Sequence, residues 1–324
     1  MDTAAISFPL FGEGFVLNPP SFFTVFGFSI YFYGLFITAG FALAAIYLVK
    51  RCDVIGLTRD NALDLVIIAV PAGLVGARIY YVLFNFEHFF GAESWLSVFS
   101  IREGGLAVYG GIILSGIAYL VYSRIKKIPV GKLLDAAGFG LFIGQAVGRW
   151  GNFFNREAFG IETAVPWRMG FTFERATYIP SLSETFAAGS THYFHPTFLY
   201  EMLWNAVGLL LMHIFSKKFG SKYPGQYFLL YVAWYGLGRF MIEGLRVDSL
   251  FISGTDIRIS QLVALVSCIV AVALLIIFAV RKVSAKNETE KPDETTANDT
   301  SEAQTDDTSE TTADNTVNDN NRDT

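Results

Sequence analysis

The composition of this 324-residue chain excludes an ordinary soluble globular protein. Hydrophobic residues make up 52% of the sequence, 16% of it is aromatic, and the mean hydropathy is +0.42, values typical of a polytopic membrane protein. The formal charge of -5 reflects residues 284–324, which hold 12 acidic against 3 basic side chains, so the remainder is positive. The only cysteines, Cys52 and Cys268, lie in or beside hydrophobic stretches and predict no disulfide framework.

Seven apolar stretches follow one another along the chain. Each can cross a bilayer core, which needs about 20 residues. We therefore predict an all-α polytopic membrane protein with about seven transmembrane helices. The stretches are residues 26–49, 63–84, 106–122, 133–147, 198–215, 227–245 and 259–280. The first 20 residues have no basic segment and no small-residue cleavage site, so a removable signal peptide is not predicted.

Clusters of Lys and Arg set the predicted orientation. They follow the first, third, fifth and seventh stretches, an alternation that indicates cytoplasmic ends there. The N-terminus is then outside, the C-terminus is cytoplasmic, and residues 152–195 form an outer cap region. We predict a membrane-embedded domain over residues 1–283 and an acidic cytoplasmic tail over residues 284–324. The tail should be disordered, because it has too little apolar surface to bury.

The segment GRWGNFFNREAFG, residues 148–160, is the first candidate for an active site. Arg149 ends an apolar stretch, where a charge is costly. At helical spacing Arg149 shares a face with Asp135 and Asn152, so we expect a polar face enclosed by protein. The alternative is that Arg149 snorkels to lipid headgroups. A neighbouring face has a GxxxGxxxG pattern that permits close helix packing, made of Gly140, Gly144 and Gly148.

The segment YGLGRFMIEGLR, residues 235–246, is the second candidate. Arg239 and Glu243 are four residues apart on a helix, which predicts a buried ion pair. Arg239 and Arg149 both fall in the outer half of the predicted bundle, and two converging guanidinium groups suit a phosphodiester anion. Glu201 is an intramembrane carboxylate and is expected to be functional or paired.

For two other residues, the sequence alone allows two interpretations each. Arg78, toward the outer end of the second stretch, is either a headgroup ligand or one member of a structural ion pair. Tyr109 lies among glycines at the start of the third stretch, where a tyrosine can also belong to the aromatic belt of the membrane interface. The sequence contains no P-loop, dinucleotide or nucleophile-elbow motif and no metal-ligand cluster, so we expect no metal, no cofactor and no nucleic-acid partner.

These segments resemble the motifs of the prolipoprotein diacylglyceryl transferase family. Residues 148–160 are similar to its signature GRxGNFxNxExxG. Other segments resemble family motifs in the same order and extend the resemblance over about residues 26–280: YG at 33–34, ARIYYVLF at 77–84, GGLAVYGG at 104–111, PWRMGF at 166–171, HPTFLYE at 195–201 and YGLGRFMIEGLR at 235–246. The chain departs from many members at Tyr109, where they have a histidine.

The resemblance implies transfer of a diacylglyceryl group from phosphatidylglycerol to the lipobox cysteine of a prelipoprotein, which forms a thioether and glycerol phosphate. It implies the cytoplasmic membrane of a bacterium, with the active site toward the outer leaflet, and no cofactor. The implied catalytic residues are Arg149, Arg239, Tyr109 and Glu243, and the last two are alternatives for the base that activates the thiol. The implied phosphatidylglycerol-binding residues are Arg149, Asn152, Arg239, Tyr33, Arg78, Glu157, Gly160 and Glu201.

Two further expectations can be tested against a structure. The cap should receive the prelipoprotein, because its loop-like sequence contains Trp167, Arg168, Phe171 and Phe173. The rival function is a transporter of an anionic lipid or organic anion, which requires a polar path through both leaflets. The inner ends of the stretches show only the Lys and Arg that set orientation, which favours the enzyme.

Overall fold

The computed structural model describes residues 4–12, 14–90, 95–100, 104–179 and 182–289. The chain divides into a unit of residues 1–278 and a unit of residues 279–324, of which only the helical residues 279–289 are described. The predicted tail beyond residue 289 therefore lies outside the described residues. Eight α-helices are described: α1 Phe32–Ile55, α2 Arg59–Phe84, α3 Phe86–Phe90, α4 Val108–Lys126, α5 Val130–Asn155, α6 Thr197–Phe219, α7 Gln226–Glu243 and α8 Ile259–Thr289.

Each of the seven predicted apolar stretches lies largely within one of the long helices. Six of them (α1, α2, α4, α5, α6 and α8) are long and apolar enough to cross a membrane. Helix α7 is shorter, with 18 residues, and it contains Gln226, Arg239 and Glu243. The fold is that of an all-α polytopic membrane protein.

The first predicted helix starts too early. Residues 22–31 form a hairpin of β3 (Phe22–Val25) and β4 (Phe28–Tyr31) instead of the first turns of a helix. Its aromatic and β-branched residues favour strands. Phe26 and Gly27 both have positive φ, 49° and 80°, as a two-residue hairpin turn requires. Helix α1 therefore begins at Phe32, directly after the hairpin.

The predicted GxxxGxxxG face of α5 is confirmed as a helix contact. A Cβ atom placed on Gly40 of α1 would lie 3.3 Å from the Cα of Gly144, and one placed on Gly148 would lie 3.2 Å from Ile37. Small residues let the two backbones approach this closely. The polar face of α5 is also enclosed, since Asp135 is buried and accepts hydrogen bonds from the backbone N–H groups of Gly225 and Phe228, both 2.9 Å.

The helix ends that were predicted to be inner are more polar than the sequence suggested. Besides Asp135 of α5, which binds the start of α7, Tyr47 of α1 and His213 of α6 form a hydrogen bond of 2.8 Å between the phenol and Nδ1. The hydroxyl of Tyr227, which is fully buried, lies in the same part of the bundle. These contacts join α1, α5, α6 and α7, so the prediction that the inner ends carry only orientation-setting Lys and Arg was wrong.

The cap contains strands where the sequence suggested a loop. The remaining strands are β1 Ala4–Ser7, β2 Val16–Leu17, β5 Met169–Phe173, β6 Thr177–Ile179, β7 Glu184–Phe186 and β8 Thr191–Phe194. They form an antiparallel sheet in the order β2-β1-β5-β8 and a separate β6-β7 hairpin. Phe171 pairs with Ile6 of β1 and His192 of β8. Phe171 and Phe173 are fully buried in the cap core, so they cannot form the predicted receiving surface.

Candidate active site

Glu201, in the second turn of α6, is the centre of a buried cluster of charges. Its carboxylate pairs with three arginines: Oε2 with Nη2 of Arg149, and Oε1 with Nη1 of Arg239 at 2.8 Å and Nη1 of Arg246 at 3.0 Å. Glu201 is 3% exposed, while the side chains of Arg149 and Arg239 are 18% and 16% exposed. Both arginines that the sequence singled out therefore reach one carboxylate and remain partly open to the outside.

Two further carboxylates complete this Glu201 cluster. Glu243 Oε2 is 2.6 Å from Arg239 Nη2 and 3.9 Å from Arg246 Nε, which confirms the predicted ion pair between Arg239 and Glu243. Asp248 accepts two hydrogen bonds from Arg246, of 2.9 and 2.6 Å. Burial alone would raise the pKa of Asp248, but the hydrogen bonds and charge of Arg246 outweigh it, and the pKa is lowered. Three guanidinium groups are thus balanced by three carboxylates.

The turn after α5 brings the three sequence motifs together. The backbone N–H of Gly160 donates to the carbonyl of His195 at 2.9 Å, and that of Ile161 donates to Leu245 at 2.7 Å. Gly160 also pairs with Arg246 in an antiparallel bridge. One short segment therefore connects the end of α5 with the start of α6 and the residues after α7, which is why Arg149, Glu201 and Arg246 meet.

Gly160 is required at this junction because there is no space for a side chain. A Cβ atom placed there would lie 2.7 Å from the Cβ of His195 and 3.0 Å from the carbonyl of Leu245. Such distances are too short for a real contact, so any larger residue would push the segments apart. Gly160 therefore contributes to the site by permitting this backbone contact. It has no side chain with which to bind a headgroup.

Several of the predicted binding residues extend from the cluster toward the outside. Arg149 Nη1 donates to Asn152 Oδ1 at 3.3 Å, and Asn152 Nδ2 donates to Glu157 Oε1 at 2.8 Å. Glu157 is exposed. Tyr33, at the start of α1, packs on Gly151 and lies within electrostatic reach of Arg149 and Glu157. The structure therefore brings Tyr33, Asn152 and Glu157 to the open side of the Glu201 cluster.

Arg78 has a different environment from the other arginines. It is buried and donates four hydrogen bonds to backbone carbonyls: to Ser97 and Val98 at 2.7 Å each, to Gly104 at 2.9 Å and to Gly105 at 3.0 Å. Its guanidinium also lies 5.1 Å from the centre of the Phe89 ring. Among the described residues Arg78 has no ion pair, and its donors hold the segment before α4.

The two predicted candidates for the base are not equivalent in the structure. Tyr109 is 69% exposed, and its described ring contact is with Tyr80, at 6.4 Å between centroids. No described contact joins Tyr109 to the Glu201 cluster. Glu243 belongs to the cluster, but it is buried and paired with Arg239 and Arg246. Neither residue lies beside the arginines with a free side chain that could accept the proton of the thiol.

Sequence reasoning missed two parts of the site. Arg246 and Asp248 follow α7 and form one of these parts. The only sequence signal for either residue was that Arg246 lies on the same helical face as Arg239. Trp204 and Trp234 form the other part: their rings stack at 4.6 Å, and each Nε1 donates to the backbone carbonyl of the other residue at 2.9 Å. This pair fixes α6 against α7 one turn from Glu201 and Arg239. No group of three His, Cys, Asp or Glu among the described residues could hold a metal ion.

Comparisons with known proteins agree with the motif pattern. A family model described as "Prolipoprotein diacylglyceryl transferase" matches residues 20–277. Among similar proteins, one from Enterococcus faecalis is 37% identical over 255 residues, which are 79% of this chain and 88% of the relative. One from Clostridioides difficile is 37% identical over 247 residues, or 76% and 90% of the two chains. Both relatives are named phosphatidylglycerol--prolipoprotein diacylglyceryl transferase. The matched residues include the whole Glu201 cluster.

Proposed function

Because the chain belongs to the prolipoprotein diacylglyceryl transferase family, we propose that it transfers the diacylglyceryl group of phosphatidylglycerol to the lipobox cysteine of prelipoproteins. The products are a thioether-linked lipoprotein precursor and glycerol phosphate. The observation that carries this proposal is the convergence of Arg149, Arg239 and Arg246 on Glu201. That arrangement holds guanidinium groups in fixed positions, as recognition of a phosphodiester requires.

The carboxylates of the cluster keep the arginines in place before the lipid binds. Glu201 and Glu243 hold Arg239 from two sides, at 2.8 and 2.6 Å. Donors fixed in this way need no rearrangement when charge develops on the substrate. Arg149 and Arg239 are the partly exposed members, so we assign them to the phosphate of phosphatidylglycerol. Asn152, Glu157 and Tyr33 contact the glycerol part of the headgroup on the open side.

The reaction moves one carbon from oxygen to sulfur. The thiolate of the lipobox cysteine attacks the diacylglyceryl carbon that is bonded to a phosphate oxygen. The carbon–oxygen bond breaks, its electron pair stays on the phosphate, and glycerol phosphate leaves. Arg149 and Arg239 stabilise the charge on the departing phosphate, and loss of one such donor costs about 10²–10³ in rate.

The thiol must lose its proton before it attacks, because its usual pKa is about 8.5. Tyr109 is exposed away from the cluster and Glu243 is held in ion pairs. We therefore favour the partly exposed guanidinium groups of Arg149 and Arg239, on the open side of the charge-balanced cluster, as the groups that stabilise the thiolate near neutral pH, with solvent taking the proton. Tyr109 and Glu243 remain as alternatives for a direct base.

The cap, residues 152–195, receives the prelipoprotein. Trp167 is half exposed, and Arg168 lies 4.6 Å from the centre of the Tyr193 ring. These two side chains offer an aromatic and a cationic surface above the cluster, supported by the buried Phe171 and Phe173. In this proposal the cap faces outward from the cytoplasmic membrane of a bacterium, residues 1–283 form the transferase domain, and residues 284–324 form a cytoplasmic tail. A membrane-impermeant reagent should label a Ser183→Cys variant in intact cells.

The decisive experiment follows glycerol phosphate release from phosphatidylglycerol by thin-layer chromatography, with a lipobox peptide as acceptor. We expect release with the cysteine peptide and none with a matched peptide that has serine instead. A transporter of anionic lipid, the rival function, would move phosphatidylglycerol between leaflets without release. The buried Asp135 and the Tyr47–His213 pair hold helices together at the inner end, and they are not joined to the Glu201 cluster by any described contact.

A further inference from the structure

A hydrogen-bonded chain of three side chains lies beside the Glu201 cluster and has no role in the chemistry above. Trp167 Nε1 donates to Tyr200 Oη at 2.8 Å. The same oxygen is 3.0 Å from Nδ1 of His195. Tyr200 precedes Glu201 on α6, and Trp167 belongs to the cap. The chain therefore connects the cap to the helix that carries the central carboxylate.

The chemistry of these groups fixes the direction of one of the two hydrogen bonds. An indole nitrogen can only donate, so the Tyr200 oxygen accepts from Trp167. The Tyr200 hydroxyl can either donate its hydrogen to Nδ1 of His195 or accept one from it, so the tautomer of His195 decides the direction of the second bond. A neutral imidazole that accepts at Nδ1 carries its hydrogen on Nε2. Partial burial lowers the pKa of His195, which favours the neutral ring.

His195 stands at the junction of the three motifs. Its Cβ lies where a side chain of Gly160 would have to be, and its carbonyl accepts the backbone hydrogen bond from Gly160. Gly160 in turn pairs with Arg246 of the Glu201 cluster. His195 is only partly buried, and its backbone lies one segment away from that of Arg246, with Gly160 between them.

We propose that His195 donates a hydrogen bond from Nε2 to a phosphate oxygen of phosphatidylglycerol, and that Tyr200 and Trp167 are positioning residues that hold its tautomer. This rests on the proposed function. The Glu201 cluster balances three arginines with three carboxylates, so a neutral donor adds a contact for the anion without adding a buried charge. With Nδ1 engaged and Nε2 protonated, His195 is a donor and not the base for the thiol.

The tautomer can be observed without any activity measurement. Nitrogen-15 spectra of histidine-labelled protein in lipid bilayers, compared with those of His195→Gln, isolate the His195 signals from those of the other three histidines. We expect a protonated Nε2 and an unprotonated Nδ1 at pH 7.5. Tyr200→Phe should convert this signal to a mixture of tautomers. A protonated Nδ1 in the unmodified protein would overturn the proposal.

Two amide substitutions separate the nitrogen atoms of the ring. His195→Gln places an amide N–H near the position of Nε2, whereas His195→Asn places one near Nδ1. We expect His195→Gln to keep KM for phosphatidylglycerol within about threefold, and His195→Asn to raise it about 10- to 100-fold, as loss of a hydrogen bond to a charged group does. The KM for the lipobox peptide should not change in either variant.

Other outcomes of this experiment reject the proposal. Equal losses in both variants would indicate a structural role, and a larger effect on the KM for the peptide would place the acceptor oxygen on the prelipoprotein. Strong loss of kcat in His195→Gln, with KM unchanged, would indicate a base. If the unmodified protein releases no glycerol phosphate, the proposed function fails, whereas the nitrogen-15 result still tests the tautomer.

Discussion

The helix bundle contains arginines in two regions, and their partners differ. In the α2–α4 region Arg78 donates to four backbone carbonyls. In the α5–α7 region Arg149 and Arg239 pair with the carboxylates of Glu201 and Glu243. Carbonyl partners are part of the backbone and cannot be exchanged without unfolding the segment. Carboxylate partners are side chains of the same charge as a phosphate, so a lipid headgroup can share the guanidinium groups with them.

The role of an arginine in a membrane protein can be assigned from its partners. A charge inside the membrane region marks a functional site by default, and by that rule all three residues qualified equally. Their partners distinguish the three arginines. An arginine that donates to main-chain oxygens supports the structure, whereas a partly exposed arginine in a carboxylate cluster is available to an anion.

The largest effect is expected for lysine in place of Arg149 or Arg239. Lysine keeps the charge but presents a point charge instead of a planar fork, so each variant should lose about 10²–10³ in kcat/KM for phosphatidylglycerol. Glycerol phosphate release measures the loss, and thermal unfolding in detergent checks that the fold is kept. Arg124→Lys, at the exposed last turn of α4, is the matched control with little expected loss. Near-normal turnover of Arg149→Lys or Arg239→Lys would remove the bidentate role.

Arg78→Lys should show the opposite pattern. Lysine cannot reach all four carbonyls, and buried carbonyls without donors destabilise a protein by about 1–3 kcal/mol each. We expect a lower Tm in detergent, and a kcat per folded molecule close to that of the unmodified protein. A loss of kcat as large as that of Arg149→Lys, without a change in Tm, would mean that Arg78 does take part in the reaction.

Trp204→Phe should have a moderate effect. It keeps an aromatic ring against Trp234 but removes the hydrogen bond from Nε1 to the Trp234 carbonyl, worth about 1 kcal/mol. Because this pair spaces α6 and α7, we expect a loss of several-fold in kcat/KM together with the lower stability. Trp150→Phe is the comparison: Trp150 has ring contacts with Phe153 and Phe198 but no described hydrogen bond from Nε1, so its substitution should lower stability less. Unchanged activity and stability of Trp204→Phe would show that the spacing has another source.

A smaller effect, dependent on pH, is expected for Asp248→Asn. The pKa of Asp248 is lowered in the folded state, so the carboxylate contributes stability above its unfolded pKa of about 3.9 and loses it as the pH falls through the folded pKa. The side chain is 42% exposed, so we expect at most about 1 kcal/mol at pH 7. Chemical denaturation at pH 7 and pH 3 should show this difference narrowing in acid. A constant difference would mean that the ion pair is not its cause.

The smallest effect is expected from deletion of the residues after Lys286. The proposed chemistry lies at the opposite membrane face, and the deletion keeps Arg281 and Lys282. Transferase activity should stay within about twofold at equal membrane abundance, since no charge of either arginine region is changed. A large loss of turnover would assign the tail a part in catalysis or assembly.

The sequence predicted the helices better than the site. Apolar stretches and glycine spacing are local signals, so α2, α4 to α8 and the contact of Gly144 with α1 could be anticipated, whereas the short α3 was not. The pairing of Arg239 with Glu243 was also local, four residues apart on one helix. The meeting of Arg149 with Glu201 depends on the turn at Gly160 and on Leu245, which are far apart in sequence. The carbonyl partners of Arg78 could not be predicted from the sequence. Every residue has a main-chain oxygen, so no pattern of residue types marks the ones that Arg78 binds.

The strands of the cap were missed for a related reason. β5 and β8 are short, and the partner of β5 on its other side is β1, more than 160 positions earlier. A search for hairpins detects only neighbours in the sequence. The buried Phe171 and Phe173 looked like a binding surface because aromatic residues in a polar stretch suit either a small core or a ligand contact.

The pairing of β1 with β5 also constrains how the protein is made. Ala4–Ser7 leaves the ribosome early, and its partner Met169–Phe173 follows only after α1, α2, α4 and α5, four helices that can cross the membrane. An even number of crossings returns the chain to the side on which it started, so failure of any single one of these insertions would leave the two strands on opposite sides of the membrane and keep the sheet open. Until then the edge of β1 is without this partner, and such edges promote misassembly. Closure of the cap sheet therefore depends on correct membrane insertion. Protease resistance of the amino-terminal segment during synthesis would report when β1 has paired with β5.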